Sequence, residues 1–240
     1  MKADNDTSND DGPLNARTLG IGSSRFAANK RRVGRILKNA GSSVLDIGCG
    51  DGRYMHTLLQ HGRETYGLDL APQPYSTNIS RYVIKGDARH LPFTAQSFDT
   101  VLMINVLEHT DDLSALQEAY RVCRKNVVFS VPHEKEEELG HYNITYHPYV
   151  DPTHLRYYTM ERVTATFADA GFTMDEICFD GPINSLGLFL RALHLPRLLS
   201  IGVGITVNRI PGIKKYYMNI EGVASRDATF RVSLNPNFEK

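Results

Sequence analysis

The chain has no surplus of charge: 27 basic side chains balance 27 acidic ones, and the pI is near 7.1. That balance gives no global reason to expect nucleic acid as a partner. A C-x-x-C pair is also missing, and the three cysteines, Cys49, Cys123 and Cys178, are an odd number. Both points argue against a disulfide framework or a zinc site, and a reduced cytoplasmic setting is expected. No uncharged apolar run reaches the length of a transmembrane span. The amino terminus, rich in Asp, Asn and Ser, lacks the basic-then-apolar order of a secretory signal. There is no internal repeat of solenoid length. What remains is a 240-residue chain, 41% hydrophobic and 22% charged, with enough length for one domain with a sizeable core.

Residues 1–24, with Asp4, Asp6, Asp10 and Asp11 among small polar neighbours, are expected to be a disordered tail. From Arg25 a helical pattern begins: Phe26, Val33, Ile36 and Leu37 share a face, and Gly41 stands where a carboxyl-terminal cap belongs. Arg25, Lys30, Arg31, Arg32, Arg35 and Lys38 fill the rest. A solvated face on a helix covering the sheet edge is the expectation, with a patch for an anionic substrate as the alternative. Residues 25–240 are then one domain, carrying an apolar insert at about 183–215.

The organising stretch is Val44–Gly52, V-L-D-I-G-C-G-D-G. Its apolar half reads as a buried parallel strand, and its three glycines turn the chain into a helix at Arg53. Such a turn presents helix-start N–H groups at the carboxyl edge of a sheet, which makes a nucleotide site. A dinucleotide fingerprint would need a glycine where Arg53 stands, so an oxidoreductase reading fits poorly. A second strand, Thr65–Leu68, ends in Asp69, which lies 21 residues past Gly48. That is close to the offset at which an acid meets ribose hydroxyls.

The glycine stretch resembles the first motif of class I S-adenosylmethionine-dependent methyltransferases, matching at Asp46, Gly48, Gly50 and Gly52. Later stretches resemble the family's further motifs in order: G-L-D-L around Asp69, G-D-A with L-P-F around Asp87, and F-D-x-V followed by V-L-E-H from Phe98 to His109. The resemblance covers about three quarters of the chain. It implies an α/β fold: a three-layer Rossmann-like sandwich with a seven-stranded, mostly parallel sheet whose last strand is antiparallel. It also implies S-adenosylmethionine as cofactor. Asp69 would then hold the ribose, Asp87 the adenine amino group with the Ala88 N–H on a ring nitrogen, and Asn105 would lie beside the methionine part. Asp46, Gly48, Cys49, Gly50, Leu70 and Val106 complete the donor-binding set.

The reaction implied is methyl transfer, with oxygen as the expected acceptor atom. His109, His154 and His133 are the candidates for a general base, because imidazole titrates near neutral pH. The irregular segment Pro132–Tyr158 holds four histidines (His133, His141, His147, His154) and five tyrosines, and is expected to form the acceptor pocket or its lid. No metal is expected there, since the histidines are eight, six and seven residues apart without zinc-site order. Asp151–Thr159 is similar to a His-x-Arg-aromatic-aromatic-Thr signature of small-molecule and glycan-directed members. The insert is read as an apolar hairpin covering the pocket or a homodimer partner, with peripheral membrane contact toward a lipid-bearing substrate as the alternative. The acceptor is therefore read as a small molecule, a glycan or a lipid-linked precursor. A scaffold that binds the donor without chemistry is the rival reading.

Overall fold

Successive residues of the central strands fall into two different apolar clusters, and this alternation produces the layers. Leu45, Ile47, Val101, Met103, Val127 and Phe129 belong to one cluster, while Val44, Leu102 and Val128 belong to the other. A strand flanked by helices on both faces must be apolar on both. The computed structural model describes residues 30–72, 82–134, 152–183 and 216–226. The amino-terminal tail, most of the histidine- and tyrosine-rich segment and nearly all of the apolar insert lie outside the described residues.

The described elements run α1 (Lys30–Asn39), β1 (Ser43–Ile47), α2 (Arg53–Gln60), β2 (Glu64–Asp69), β3 (Val83–Lys85) and β4 (Phe98–Ile104). A 3-10 turn, Leu107–His109, follows, then α3 (Asp112–Val122), β5 (Cys123–Pro132), α4 (Met160–Asp169), β6 (Thr173–Ile183) and β7 (Tyr216–Ser225). Asp111 caps α3 by accepting from the Ser114 N–H, and Thr159 caps α4 by accepting from the Arg162 N–H. The seven strands form one sheet in the order β3-β2-β1-β4-β5-β7-β6. Strands β1 to β5 pair in parallel, and β7 runs antiparallel between β5 and β6. The expected architecture, including the antiparallel last strand, is the one observed.

Helix α1 departs from the expected solvated helix at the sheet edge. Ile36 and Ala40 pack with Val44, Leu102, Val128 and Val223, so the helix covers the middle of one face. Two of its basic residues turn inward: Arg32 Nε donates to Glu221 Oε1 at 2.5 Å, Arg32 Nη2 donates to Ser130 Oγ at 3.0 Å, and Arg35 pairs with the other Glu221 oxygen. The cause is Glu221 itself, a fully buried acid on β7 that requires cationic partners. Helices α3 and α4 cover the opposite face through Leu116, Ala119, Val163 and Phe167.

Candidate active site

Strand order reverses between β1 and β4, and a crevice opens outside the carboxyl ends of the strands at such a point. Beyond Ile47 the chain passes through Gly48 at φ +66°, Gly50 at +52° and Gly52 at +71°. Only glycine takes this left-handed backbone without strain. A Cβ on Gly48 would lie 2.5 Å from Val106 Cγ2, so the loop also needs the missing side chain to close against the β4 end. The result is a cleft of about 370 Å³ lined by Gly48, Asp69, Leu70, Asp87, Ala88, Asn105, Val106 and His109, with Arg89, Thr110, Asp111 and Leu155 at its margin.

Each acid in or beside the cleft is held differently. Asp69 accepts from the Gly50 N–H through Oδ2 and from the Ala71 N–H through Oδ1, both at 2.9 Å, so the glycine loop and the end of β2 fix one another. Asp87 accepts from the Arg89 backbone N–H at 2.9 Å and from Arg89 Nη2 at 2.6 Å. That side-chain pairing, reinforced by the backbone bond, holds the Asp87 carboxyl down at about 2. A carboxylate offers about four lone-pair sites, so acceptor capacity remains for a ligand amine. Asp46 lies within β1 and is 1% exposed, and among the described residues its Oδ2 has no hydrogen-bond partner. Burial first, then the charges of Asp69 and Asp51, push its carboxyl up to about 8.

At the β4 end, Asn105 takes φ +56° and is anchored by its N–H donating to the Ser130 carbonyl at 2.8 Å. A non-glycine residue held in this region is a feature that clusters at functional sites. The 3-10 turn then delivers His109 to the cleft, with its Nδ1 2.9 Å from Thr153 Oγ1. Two leucines, Leu70 and Leu155, stand 68% and 63% exposed at the rim, which leaves an apolar lip around a polar floor.

The three candidate bases part company here. His109 lines the cleft. His154 stacks edge-on behind it, with ring centroids 4.6 Å apart, and does not line it. His133 is 6% exposed, packs its ring 4.8 Å from Phe179 and donates its backbone N–H to the Met218 carbonyl. It therefore lies with β6 and β7, outside the cleft. Cys49 is likewise buried, packed with Met55 behind the loop. Tyr158 is fully buried with its hydroxyl donating to Asp112.

Arg89, Thr153 and Arg156 were not legible as site residues. Arg89 had a local signal: Asp51-Gly-Arg53 and Asp87-Ala-Arg89 share one spacing, and in both the arginine folds back onto the acid two residues before it. Arg156 stands in the His-x-Arg signature, but its contacts left no local mark: it donates to the Leu107 and Thr110 carbonyls at 3.3 and 2.5 Å across a distant part of the chain.

Residues 45–131 match a family model described as a methyltransferase domain. The chain is 27% identical over 198 residues to a Mycolicibacterium smegmatis protein named "Probable S-adenosylmethionine-dependent methyltransferase", covering 78% of this chain and 74% of that one. It is 29% identical over 113 residues to a ubiquinone biosynthesis O-methyltransferase of Aliivibrio fischeri, covering 41% of this chain and about half (47%) of that relative. The fold matches the crystal structure of a SAM-dependent methyltransferase from Archaeoglobus fulgidus with a TM-score of 0.55, at 19% identity, over 84% of this chain and 96% of that one.

Proposed function

Taking as premise that the chain belongs to the class I S-adenosylmethionine-dependent methyltransferase superfamily, we propose that it methylates a hydroxyl oxygen of a small-molecule, glycan or lipid-linked precursor. The observation that carries the reading is that His109 shares one cleft with Asp69 and Asp87. The cleft residues suit the cofactor on their own chemistry. Gly48 and Gly50 leave the loop backbone open to close approach, and the Asp69 carboxylate retains acceptor sites for a vicinal diol. Asp46 offers a buried, unpartnered carboxyl oxygen beside the loop, which a cationic ligand would compensate.

S-adenosylmethionine supplies a methyl group already activated on a sulfonium. The chain therefore has to bind, align and exclude water, and alignment lowers a barrier of this kind by about 7–11 kcal/mol. Asp69 and Asp87 fix the two ends of the nucleoside, and Asn105 and Val106 shape the floor between them. Leu70 and Leu155 provide an apolar lip for the donor base and the acceptor. His109 receives the hydroxyl proton at Nε2, in the tautomer whose Nδ1–H donates to Thr153 Oγ1. The name of the Aliivibrio relative, an O-methyltransferase of ubiquinone biosynthesis, supports oxygen as the acceptor atom.

The test uses the full chain with methyl-labelled donor and a panel of phenolic, quinol and glycan acceptors. Label is expected on a hydroxyl. Asp69→Ala should weaken S-adenosylhomocysteine binding about 10- to 100-fold by calorimetry, as expected for losing bonds to a charged acceptor at 1.5–3 kcal/mol. His109→Ala should slow transfer about 10²- to 10⁴-fold without changing that affinity. Undiminished binding by Asp69→Ala would remove the donor reading, and undiminished transfer by His109→Ala would remove the base.

A further inference from the structure

At the edge of the cleft, the structure brings His154 up to the adjacent pair Glu108 and His109, three side chains of types that can ligate a metal. Glu108 and His109 lie on the 3-10 turn, and His154 lies 45 residues beyond His109. Their ligand atoms all lie within 4.8 Å of one another, and the Glu108 side chain is 0% exposed. We propose that Glu108, His109 and His154 form a binding site for one divalent transition-metal ion of the zinc type, set against the acceptor end of the cleft.

The donor chemistry selects that class of ion. Two imidazoles and one carboxylate suit zinc and neighbouring late first-row ions, whereas magnesium and calcium take oxygen ligands. Bonds of about 2.0–2.2 Å in tetrahedral geometry place ligand atoms about 3.4 Å apart, so a cluster whose ligand atoms lie within 4.8 Å closes by at most about 1.4 Å on binding. Its frame is fixed by backbone: the N–H of Leu155, next to His154, donates to the carbonyl of Glu108 at 2.7 Å and ties the two ligand-bearing segments together. Arg156 clamps the turn through the Leu107 and Thr110 carbonyls and pairs with Asp112 at 3.1 Å. The Thr153 hydroxyl on His109 Nδ1 is the kind of outer partner that sets the ring and tautomer of a ligating imidazole.

Three protein ligands leave a fourth position, and His109 is the member that lines the cleft. An oxygen of the acceptor or a water would fill that position; the ion would lower its pKa, so that the hydroxyl proton passes to solvent water as the new C–O bond forms and the methyl–sulfur bond breaks. In the loaded protein His109 serves as a ligand, so the ion replaces the imidazole in preparing the hydroxyl. This consequence rests on the methyl-transfer reading; the binding site itself does not.

The full chain, stripped with a chelator, is titrated with Co²⁺ and followed by its visible ligand-field bands, then back-titrated with Zn²⁺. One equivalent is expected, displaced by zinc. His109→Ala and His154→Ala should each weaken binding by at least about 100-fold, since loss of an outer partner alone costs about 10–100-fold, the loss expected for Thr153→Ala. Glu108→Gln tests the buried carboxylate. S-adenosylhomocysteine binding, measured in parallel, shows that each variant is folded and separates the two readings. Wild type that binds the nucleoside but gives no saturable cobalt spectrum overturns the metal site alone, as does unchanged cobalt affinity in His109→Ala or His154→Ala.

Discussion

Gly48→Ala tests whether the glycine loop is built around a missing side chain. Two costs add. Gly48 sits at φ +66°, where an L-residue loses roughly 1–2 kcal/mol. The new Cβ would meet Val106 Cγ2 at 2.5 Å, well inside contact, and relieving such overpacking costs about 1–3 kcal/mol. The middle of the range is about 3.5 kcal/mol, a loss that a domain with about 5–15 kcal/mol of stability survives. In a chain of this length it lowers Tm by about 7–14 °C. The backbone and clash costs separate in a double-mutant cycle. Val106→Ala removes the group that the new Cβ strikes, so Gly48→Ala/Val106→Ala should be less destabilised than the sum of the single variants by about 1–3 kcal/mol. Urea unfolding gives the four free energies, and calorimetry with S-adenosylhomocysteine gives the donor affinity of each protein. Strict additivity would refute the clash. Unchanged donor affinity in Gly48→Ala would refute the claim that this loop closes on the donor.

Asp46 makes stability depend on pH in a predictable direction. Its carboxyl is held up at about 8 in the fold against 3.8 when unperturbed, so the folded state keeps a proton that the unfolded chain releases. Stability from this group is therefore present below pH 3.8 and lost as pH rises toward 8. Relative to Asp46→Asn, the ligand-free wild type should lose Tm steadily across that window, and parallel Tm curves would rule the buried acid out. Glu221→Gln leaves the inward-turned Arg32 and Arg35 without their shared carboxylate. About 3–5 kcal/mol of stability should disappear in urea unfolding at unchanged m-value, and a loss under about 1 kcal/mol would mean that the ion pairs contribute little to docking α1.

What the sequence revealed and what it concealed divide along the length of the interactions. Gly48, Gly50, Asp69, Asp87 and Asn105 were legible because each sits at a strand end whose position follows from local apolar runs. A parallel sheet places all such ends on one edge, so a linear reading carried over into space. Asp69 was informative twice, by its spacing from Gly48 and by ending a strand. The histidines offered no such rule. His109, His133 and His154 look alike in a linear reading, yet their surroundings come from contacts between distant segments: a threonine from position 153, a phenylalanine from β6, and a backbone bond from Leu155 to Glu108. The same holds for Glu221, whose burial on β7 turns two arginines inward that helical periodicity assigned to solvent. A charged side chain follows its nearest buried opposite charge before it follows the helix face, because an unpaired ion in the interior costs more than an exposed apolar group. Linear spacing argued against a metal because it searches for ligands one helical turn apart. The Glu108, His109 and His154 cluster evades that search, since its third member is delivered by a loop crossing, and only the fold brings it within reach.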